Sequence, residues 1–165
     1  MQRPLVGIAV IVRKGDEVLL HKRIGSHAGN TYAFAGGHLE MFETFEEAGL
    51  RELQEEAGDM QVTQPRYWTT ENTRFPDEDA HYVCVFMICD WVCGEPFTME
   101  PEKNEGWDWY NWDDLPQPLI TGTHMIHKRG MNPITVDYES LHHSYLTSDA
   151  SSGIPSMKSP MIHNG

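Results

Sequence analysis

The sequence has few cysteines, few basic residues and no long apolar run. Its three cysteines, Cys84, Cys89 and Cys93, are an odd number, and no second cluster of cysteine and histidine accompanies them to form a zinc site. We therefore expect reduced thiols in a cytosolic protein. No stretch is long enough to span a bilayer, and the amino terminus has no secretory pattern. We predict a cytoplasmic location and no membrane partner.

Basic residues are the scarcer charge, because 12 Lys and Arg stand against 25 Asp and Glu and give a net charge of −13. Such a chain cannot neutralise a row of phosphates, which argues against a nucleic-acid polymer as a partner. A small phosphorylated substrate is still compatible with this charge, because a bound divalent ion reverses the local field. The 165 residues suit one domain, which we place at residues 1–140, followed by a predicted disordered tail at 141–165.

Apolar and β-branched runs predict a chain that alternates strands with two helices. Strands are expected at residues 6–12, 17–21, 31–35, 62–73, 81–92 and around 107–110, and helices at 45–57 and 119–128, with a short helical turn from Asp113. The pair Gly36-Gly37 is expected at a turn, because paired glycines permit positive φ and let a backbone carbonyl approach a metal closely. Four aromatic residues are predicted to lie in the core: Tyr67, Trp68, Tyr82 and Phe86.

The segment 37–58 predicts a glycine turn followed by a capped and unusually acidic helix. Thr44 is a good N-cap, Glu47 three residues later completes a capping box, and Gly58 is a natural end. The sequence therefore fixes both ends of this helix by local signals.

Three carboxylates share one face of that helix, because Glu52, Glu55 and Glu56 fall at i, i+3 and i+4. Carboxylates this close repel one another unless a cation lies among them, and hard oxygen ligands suit Mg²⁺ or Mn²⁺. A solvated acidic face is the commoner meaning of such a cluster. The spacing alone leaves both interpretations open.

The wider pattern resembles the Nudix box, G-x5-E-x7-R-E-U-x-E-E-x-G-U, in which U is aliphatic. Gly37, Glu43 and residues 51–58 match the fixed positions, and the last one is held by Asp59, with Met60 just beyond it. This mismatch concerns local packing, not chemistry. The similarity covers roughly residues 5–135, and the segments 19–23, 36–40, 81–83 and 100–109 resemble the MutT-like nucleoside triphosphate diphosphatases of this family.

The resemblance implies a Nudix α/β/α sandwich with a mixed sheet, a loop–helix–loop box and hydrolysis of a diphosphate linked to another moiety. The implied metal ligands for Mg²⁺ or Mn²⁺ are the Gly36 carbonyl, Glu52, Glu55 and Glu56. The general base is expected to be Glu52 or Glu55, with Glu105 as the alternative from another loop. Arg51 and Glu43 are expected to hold the carboxylates in place.

The substrate contacts implied by the resemblance are Lys22, Arg23 and Gly37 for the phosphates, and Thr121 and Gly122 for the other moiety. Thr121 stands where close relatives carry a Trp that could cover a purine, so weak base selectivity is expected. Phe34-Ala35 replaces a usual Leu-Pro and is expected to reshape the pocket wall. If the base is selected elsewhere, Asn72 and Thr73 are the next candidates.

Three functions stay open at this point. The first is cleavage of a nucleoside triphosphate to a nucleoside monophosphate and pyrophosphate. The second is hydrolysis of another diphosphate, such as an isoprenoid diphosphate or a nucleoside diphosphate derivative. The third is an idle nucleotide-binding module, which the intact carboxylates disfavour. The resemblance also implies a homodimer. The histidine pairs His124 and His127, and His142 and His143, are interpreted as solvated, since no third metal ligand accompanies them.

Overall fold

The computed structural model describes residues 3–25, 28–75 and 79–138. The larger of its two compact units, Met1–Ile134, contains the elements discussed below. Its strands are β1 (Leu5–Lys14), β2 (Glu17–Arg23), β3 (Tyr32–Ala33), β4 (Ala35–His38), β5 (Gln61–Val62), β6 (Arg66–Phe75), β7 (Ala80–Cys93) and β8 (Asn104–Asn111). The helices are α1 (Phe45–Ala57) and α2 (Thr121–Lys128), with 3-10 turns at Trp112–Asp114 and Pro133–Thr135.

Two of the predictions concern residues that lie outside this description. They are the disordered tail at 141–165, with its boundary at residue 140, and the solvated pair His142 and His143. Within the described residues, no helix combines the length and the apolar character that a membrane crossing requires.

The eight strands of the described residues form one mixed sheet. Its main order is β3–β2–β1–β7–β5, and β4 pairs with β1, β6 with β7 and β8 with β2. β1 and β7 run parallel, whereas the other strand pairs are antiparallel. Together with helices on the sheet, this is the α/β/α sandwich that the resemblance implied.

Both faces of the central pair β1 and β7 are buried, as their nearly continuous apolar sequences require. Successive side chains point to opposite faces. One face packs with Ala48, Leu53 and Ala57 of α1 in a single apolar cluster, to which Val10 and Met87 also belong. On β7 the next residue in each direction, Phe86 and Ile88, is buried outside that cluster.

Helix α2 is fixed to β6 by an ion pair at its carboxyl end. Arg129 places Nη1 2.6 Å from Oε2 of Glu71 and donates from Nη2 to Oε1 at 3.0 Å. The Glu71 side chain is buried, and a buried carboxylate needs a partner of opposite charge. The predicted helix 119–128 starts later than expected, because Ile120 N–H donates to the carbonyl of Tyr32 and keeps this segment extended beside β3.

The prediction of a glycine turn at Gly36-Gly37 is wrong. Both glycines lie inside β4, opposite Ala9 and Ile8 of β1, and neither has a positive φ. Glycine is required here by close approach instead. A Cβ on Gly36 would lie 2.1 Å from the carbonyl oxygen of Ile8. The predicted strand 31–35 is accordingly two short strands, interrupted at Phe34.

The long strand predicted at 62–73 is also two strands, β5 and β6, separated around Pro65, which cannot donate to a ladder. The aromatic residues that were predicted to lie in the core differ in their exposure. Phe86 is buried as predicted, whereas Tyr67 is 50% exposed.

Helix α1 has the predicted ends and cap. Thr44 Oγ1 accepts from the Glu47 N–H at 3.1 Å, and Glu47 Oε2 accepts from the Thr44 N–H at 2.8 Å. After the helix, Asp59 is exposed and Met60 is buried in the α1 cluster. Met60 therefore supplies the apolar contact that the box pattern assigns to position 59.

The turn before α1 contains a strained residue. Phe42 has φ 71°, a left-handed conformation that favours glycine, and its side chain is 96% exposed. Because a Cβ in this region costs about 1 kcal/mol or more and the phenyl ring makes little packing contact, Phe42→Gly should raise the free energy of unfolding by about 1 kcal/mol. Urea unfolding would measure it.

The matched control is Phe42→Ala, which removes the ring but retains the Cβ and its backbone strain. We expect this variant to stay close to the wild type. Equal stabilisation by both substitutions would attribute the effect to the exposed ring and contradict the backbone explanation.

Candidate active site

Helix α1 and β4 form the walls of an acidic cavity of about 460 Å³, here called the carboxylate cavity. Its glutamates come from three segments of the chain: Glu40, Glu52, Glu55, Glu56 and Glu100. Its cationic side chains are Arg23, Arg51 and Lys103. The predicted metal-ligating carboxylates of α1 thus line one cavity together with the predicted glycines Gly36 and Gly37.

Arg51 holds the carboxylates of the box in place, as predicted. Its guanidinium donates from Nε and Nη2 to the two oxygens of Glu43, at 2.6 and 3.0 Å. Nη1 donates to Glu52 Oε1 at 2.7 Å and to Glu55 Oε2 at 3.3 Å. Nη2 also reaches the His38 carbonyl at 3.0 Å. One side chain therefore links the loop, the helix and the end of β4.

Glu56 is bound from the other side of the cavity by β4. The Gly36 N–H donates to Glu56 Oε2 at 3.0 Å. Burial raises the pKa of the Glu56 carboxyl to about 7, the Gly36 N–H opposes the rise, and Glu52 adds to it. Burial also raises the pKa of Glu52, against the opposing effect of Arg51. Both carboxylates are thus in a site that favours a nearby positive charge.

Gly37 makes room for Glu52. A Cβ built on Gly37 would lie 2.3 Å from Glu52 Oε1 and 2.5 Å from its carboxyl carbon. Because Glu52 is only 8% exposed and held by Arg51, it has little freedom to move aside. The glycine that the box pattern demands at this position is thus a steric requirement of the carboxylate.

The donor set fits a hard divalent cation, since it consists of carboxylate and backbone oxygens around one cavity. Within the described ranges, however, no three acidic, histidine or cysteine side chains converge closely enough to form a ready-made metal group. The existing contacts explain this separation. Arg51 draws Glu52 and Glu55 to one side, and Gly36 draws Glu56 to the other.

Glu100 and Lys103 line the carboxylate cavity and were not predicted to do so. Their segment is fixed to the carboxyl end of α1, because Met99 N–H donates to the Glu56 carbonyl at 3.2 Å. The Trp107 indole donates to the same carbonyl at 3.2 Å. Lys103 Nζ lies 2.6 Å from Glu100 Oε1. No spacing in the sequence links these residues to the box.

The predicted basic pair Lys22-Arg23 is divided between two faces of β2. Arg23 lines the carboxylate cavity together with His21, two positions earlier. Lys22 instead lies 3.0 Å from Glu105 and does not line this cavity. Adjacent strand residues point to opposite faces, so the pair could not both reach one site. The structure likewise keeps Glu105, the alternative base, away from the carboxylate cavity.

A second cavity, of about 180 Å³, adjoins the first and is here called the apolar cavity. The two share Arg23, Gly36, Gly37 and His38 as lining residues. Four aromatic rings line it, one from the residue between β3 and β4, one from β6 and two from β7: Phe34, Phe75, Tyr82 and Phe86. Phe34 packs edge-on against Phe86, with the two ring centroids 6.5 Å apart. It therefore forms part of the cavity wall, as predicted from the replacement of the usual Leu by Phe.

Two predicted contacts to the non-phosphate moiety do not line this cavity. Ile120, Gly122 and Thr123 line it, whereas Thr121 between them does not. On β6 the inward residue is Thr73, and Asn72 is exposed and paired with His81. Of the four residues predicted for this role, Gly122 and Thr73 therefore reach the cavity and Thr121 and Asn72 do not.

His21 is a buried histidine that lines the carboxylate cavity, and no motif or spacing in the sequence predicted this position. It is 3% exposed and its ring lies 4.6 Å from that of Trp107. Burial lowers the pKa of its imidazole from 6.5 to about 4, with a further contribution from the nearby Arg23. His21 is consequently neutral in the folded protein at physiological pH.

This pKa predicts acid destabilisation. Above pH 6.5 the imidazole is neutral in both states, but between pH 6.5 and 4 only the unfolded chain takes up the proton. Between about pH 7.5 and about pH 5, the wild type should lose about 2 kcal/mol more unfolding free energy than His21→Gln. Glu52 and Glu56 titrate in both proteins, so their effect cancels in the comparison. Parallel urea midpoints for the two proteins would contradict the prediction.

Comparison with known proteins identifies the family. The NUDIX domain model matches residues 1–129. The chain belongs to the NUDIX family. The 8-oxo-dGTP diphosphatase of Escherichia coli is 30% identical over 126 residues, which cover 73% of this chain and 95% of that protein. The NAD-capped RNA hydrolase NudC of Edwardsiella ictaluri is 34% identical over 116 residues, 70% of this chain and 42% of NudC.

The NUDIX fold is shared with solved structures as well. The MutT NUDIX hydrolase from Burkholderia pseudomallei superposes with a TM-score of 0.72 at 27% identity, covering 77% of this chain and 98% of that one. The chain spans less than half the length of NudC. These relationships confirm the predicted family and fold. NUDIX hydrolases generally use divalent metal ions.

Proposed function

We propose that this NUDIX enzyme cleaves a nucleoside triphosphate to a nucleoside monophosphate and pyrophosphate, with Mg²⁺ or Mn²⁺. The adjacency of the two cavities carries the proposal. A triphosphate would lie in the carboxylate cavity, and the base would enter the apolar cavity across the wall shared by Gly36, Gly37 and His38. Arg23 lines both cavities and would contact the phosphate nearest the nucleoside.

The metal would be held by Glu52 and Glu56, with Glu55 and the Gly36 carbonyl. When bound, a divalent cation supplies charge neutralisation for the phosphoanhydride. Glu52 or Glu55 would accept a proton from the attacking water, and Arg51 would fix the orientation of both carboxylates. Lys103, already beside Glu100, would add a positive charge for the phosphates.

A second candidate is hydrolysis of an isoprenoid diphosphate. The observation that favours it is the lining of the apolar cavity. Among the described residues that form it, aromatic and aliphatic side chains predominate and no carboxylate or amide side chain takes part. An apolar chain needs no hydrogen-bond partners and would gain from burial there. Its diphosphate would occupy the same carboxylate cavity.

The deciding experiment is a panel of nucleoside triphosphates, isoprenoid diphosphates, NAD and NAD-capped RNA, assayed with Mg²⁺ and with Mn²⁺. Pyrophosphate and orthophosphate should be detected separately. Release of pyrophosphate from a nucleoside triphosphate supports the first candidate, whereas release of one orthophosphate and an isoprenoid monophosphate from an isoprenoid diphosphate supports the second. Metal-independent binding without any release would indicate an idle binding module. The net charge of −13 disfavours extended contact with an RNA chain.

Two further properties belong to the proposal. We expect the enzyme to be cytoplasmic and to form a homodimer. A monomeric mass in solution that does not change on dilution would contradict the dimer.

A further inference from the structure

Thr73 presents a buried hydroxyl to the apolar cavity. It lies on β6, its residue is 2% exposed, and it is one of the residues that line the cavity. Its Oγ1 has no hydrogen-bond partner of normal geometry among the described residues. Native proteins satisfy nearly all buried polar side chains, so an open hydroxyl facing a cavity needs an explanation.

The side chain that interacts with the Thr73 hydroxyl is Cys84, on the neighbouring strand β7. Burial raises the pKa of the Cys84 thiol, and the Thr73 hydroxyl partly offsets that rise, so the two groups are close. A thiol is nevertheless a weak partner and leaves most of the hydrogen-bonding capacity of a hydroxyl unused. The hydroxyl therefore stays available to a molecule in the cavity.

The other polar groups of the cavity lie elsewhere or are not open. Arg23 and His38 belong to the wall shared with the carboxylate cavity, beside the proposed phosphate site. Tyr82 and Thr123 also carry hydroxyls, and neither is among the buried side-chain atoms that lack a partner. Among the described lining residues beyond the shared wall, Thr73 is thus the one whose buried side-chain hydroxyl lacks a partner of normal geometry.

We propose that Thr73 is a specificity-determining residue, whose hydroxyl bonds a polar ring atom of the base that enters the apolar cavity. The inference rests on the proposed nucleotide hydrolysis and deepens it. A substrate with a heteroaromatic base satisfies the hydroxyl, whereas a hydrocarbon tail leaves it unpaired. Phe34 and Phe86 supply the apolar surface for either group, so Thr73 separates the two substrate classes.

The space beside this hydroxyl is kept open by Gly122 on α2. A Cβ on Gly122 would lie 3.2 Å from Thr73 Oγ1 and 3.3 Å from the Phe86 ring. Gly122 also has no side chain to compete for the hydroxyl. The first turn of α2 therefore leaves room beside the Thr73 hydroxyl that a side chain at position 122 would fill.

The test compares the wild type with Thr73→Val, which replaces the hydroxyl by a methyl group of similar size. Two substrates are used with each protein: a natural purine triphosphate and a triphosphate whose base is a nonpolar isostere of the same shape. The wild type should favour the natural base, and in Thr73→Val its kcat/KM should fall about tenfold, the size expected for one hydrogen bond. The isostere should be hydrolysed equally by both proteins.

Two further variants make the result specific. Thr73→Ser retains the hydroxyl and should restore most of the preference for the natural base. Thr70→Val, on the exposed face of the same strand, should leave it unchanged. Melting temperatures would verify that Thr73→Val is folded, which we expect because the substitution removes an unpaired buried polar group.

The outcomes separate this inference from the proposed function. A natural-base preference that Thr73→Val leaves unchanged, with pyrophosphate still released, overturns the role of Thr73 alone. Equal loss for the natural base and the isostere also overturns it, because the effect would then be one of shape. If the wild type releases no pyrophosphate from any triphosphate, the proposed function fails and the inference fails with it.

Discussion

Replacing Glu56 by Gln should lower kcat by a factor of about 100 or more while the fold persists. Glu56 is buried beside Gly36, whose N–H donates to it at 3.0 Å. The Gln side-chain oxygen can accept the same hydrogen bond, so the change removes the charge but not the shape. What is lost is one of the two carboxylates, with Glu52, that we propose to hold the divalent cation.

The stability of Glu56→Gln should be equal to or higher than that of the wild type in the absence of divalent ions. Burial and the nearby Glu52 both raise the pKa of the Glu56 carboxyl, to about 7, which means that its ionised form is disfavoured in the fold. A neutral amide avoids that cost. Calorimetry should also show that Mg²⁺ raises the melting temperature of the wild type more than that of the variant.

The matched control for this substitution is Glu95→Gln, which neutralises an exposed glutamate outside the carboxylate cavity. It should leave turnover and the response to Mg²⁺ unchanged. A Glu56→Gln enzyme that is fully active at low Mg²⁺ would remove Glu56 from the proposed metal ligands.

The box helix could be predicted from the sequence to the residue because the signals that fix it are local. Thr44 and Glu47 cap each other within three residues, and Gly58 ends the helix immediately after its last turn. The carboxylate face follows from the helical repeat in the same way. These contacts depend on residues a few positions apart, and no knowledge of the rest of the fold is needed.

The role of the glycine pair could not be predicted, because it depends on close contacts with residues that are distant in the sequence. Gly36 is packed against the Ile8 carbonyl of β1, and Gly37 against the carboxylate of Glu52 on α1. Positive φ is the usual reason for conserving such a pair in a turn, but here both residues are extended within β4. Which reason applies is decided by the sheet register.

The other residues that line the two cavities could not be predicted for the same reason, because the tertiary fold brings them there. Lys22 and Arg23 are neighbours in sequence, and only the position of β2 in the sheet decides that Arg23 faces the site. Glu100 and Lys103 come to the cavity because their segment is hydrogen-bonded to the last carbonyls of α1. The apolar cavity is built from segments throughout the chain, so no single stretch of the sequence could predict it.

Arg51→Lys should lower both stability and activity although it retains the positive charge, and it should do so far more than the same exchange at Arg74. The planar guanidinium of Arg51 donates two parallel hydrogen bonds to Glu43 and further ones to Glu52 and His38. A lysine ammonium is a point charge that cannot span this arrangement. We expect a loss of about 2 kcal/mol in unfolding free energy and a clear fall in kcat/KM.

Arg74→Lys is the control, since it makes the same exchange at an exposed position of β6 outside both cavities and should change little. If Arg51→Lys proved equally harmless, positive charge alone would suffice.

A double-mutant cycle shows whether Arg51 stabilises the site by pairing the carboxylates. Arg51→Met removes the charge and leaves Glu43 and the buried Glu52 facing each other unpaired, which should cost about 3 kcal/mol. Adding Glu43→Gln to this variant should recover part of that loss, because one of the unpaired carboxylates becomes neutral. Strictly additive effects would mean that Arg51 and Glu43 act independently, in conflict with their two short hydrogen bonds.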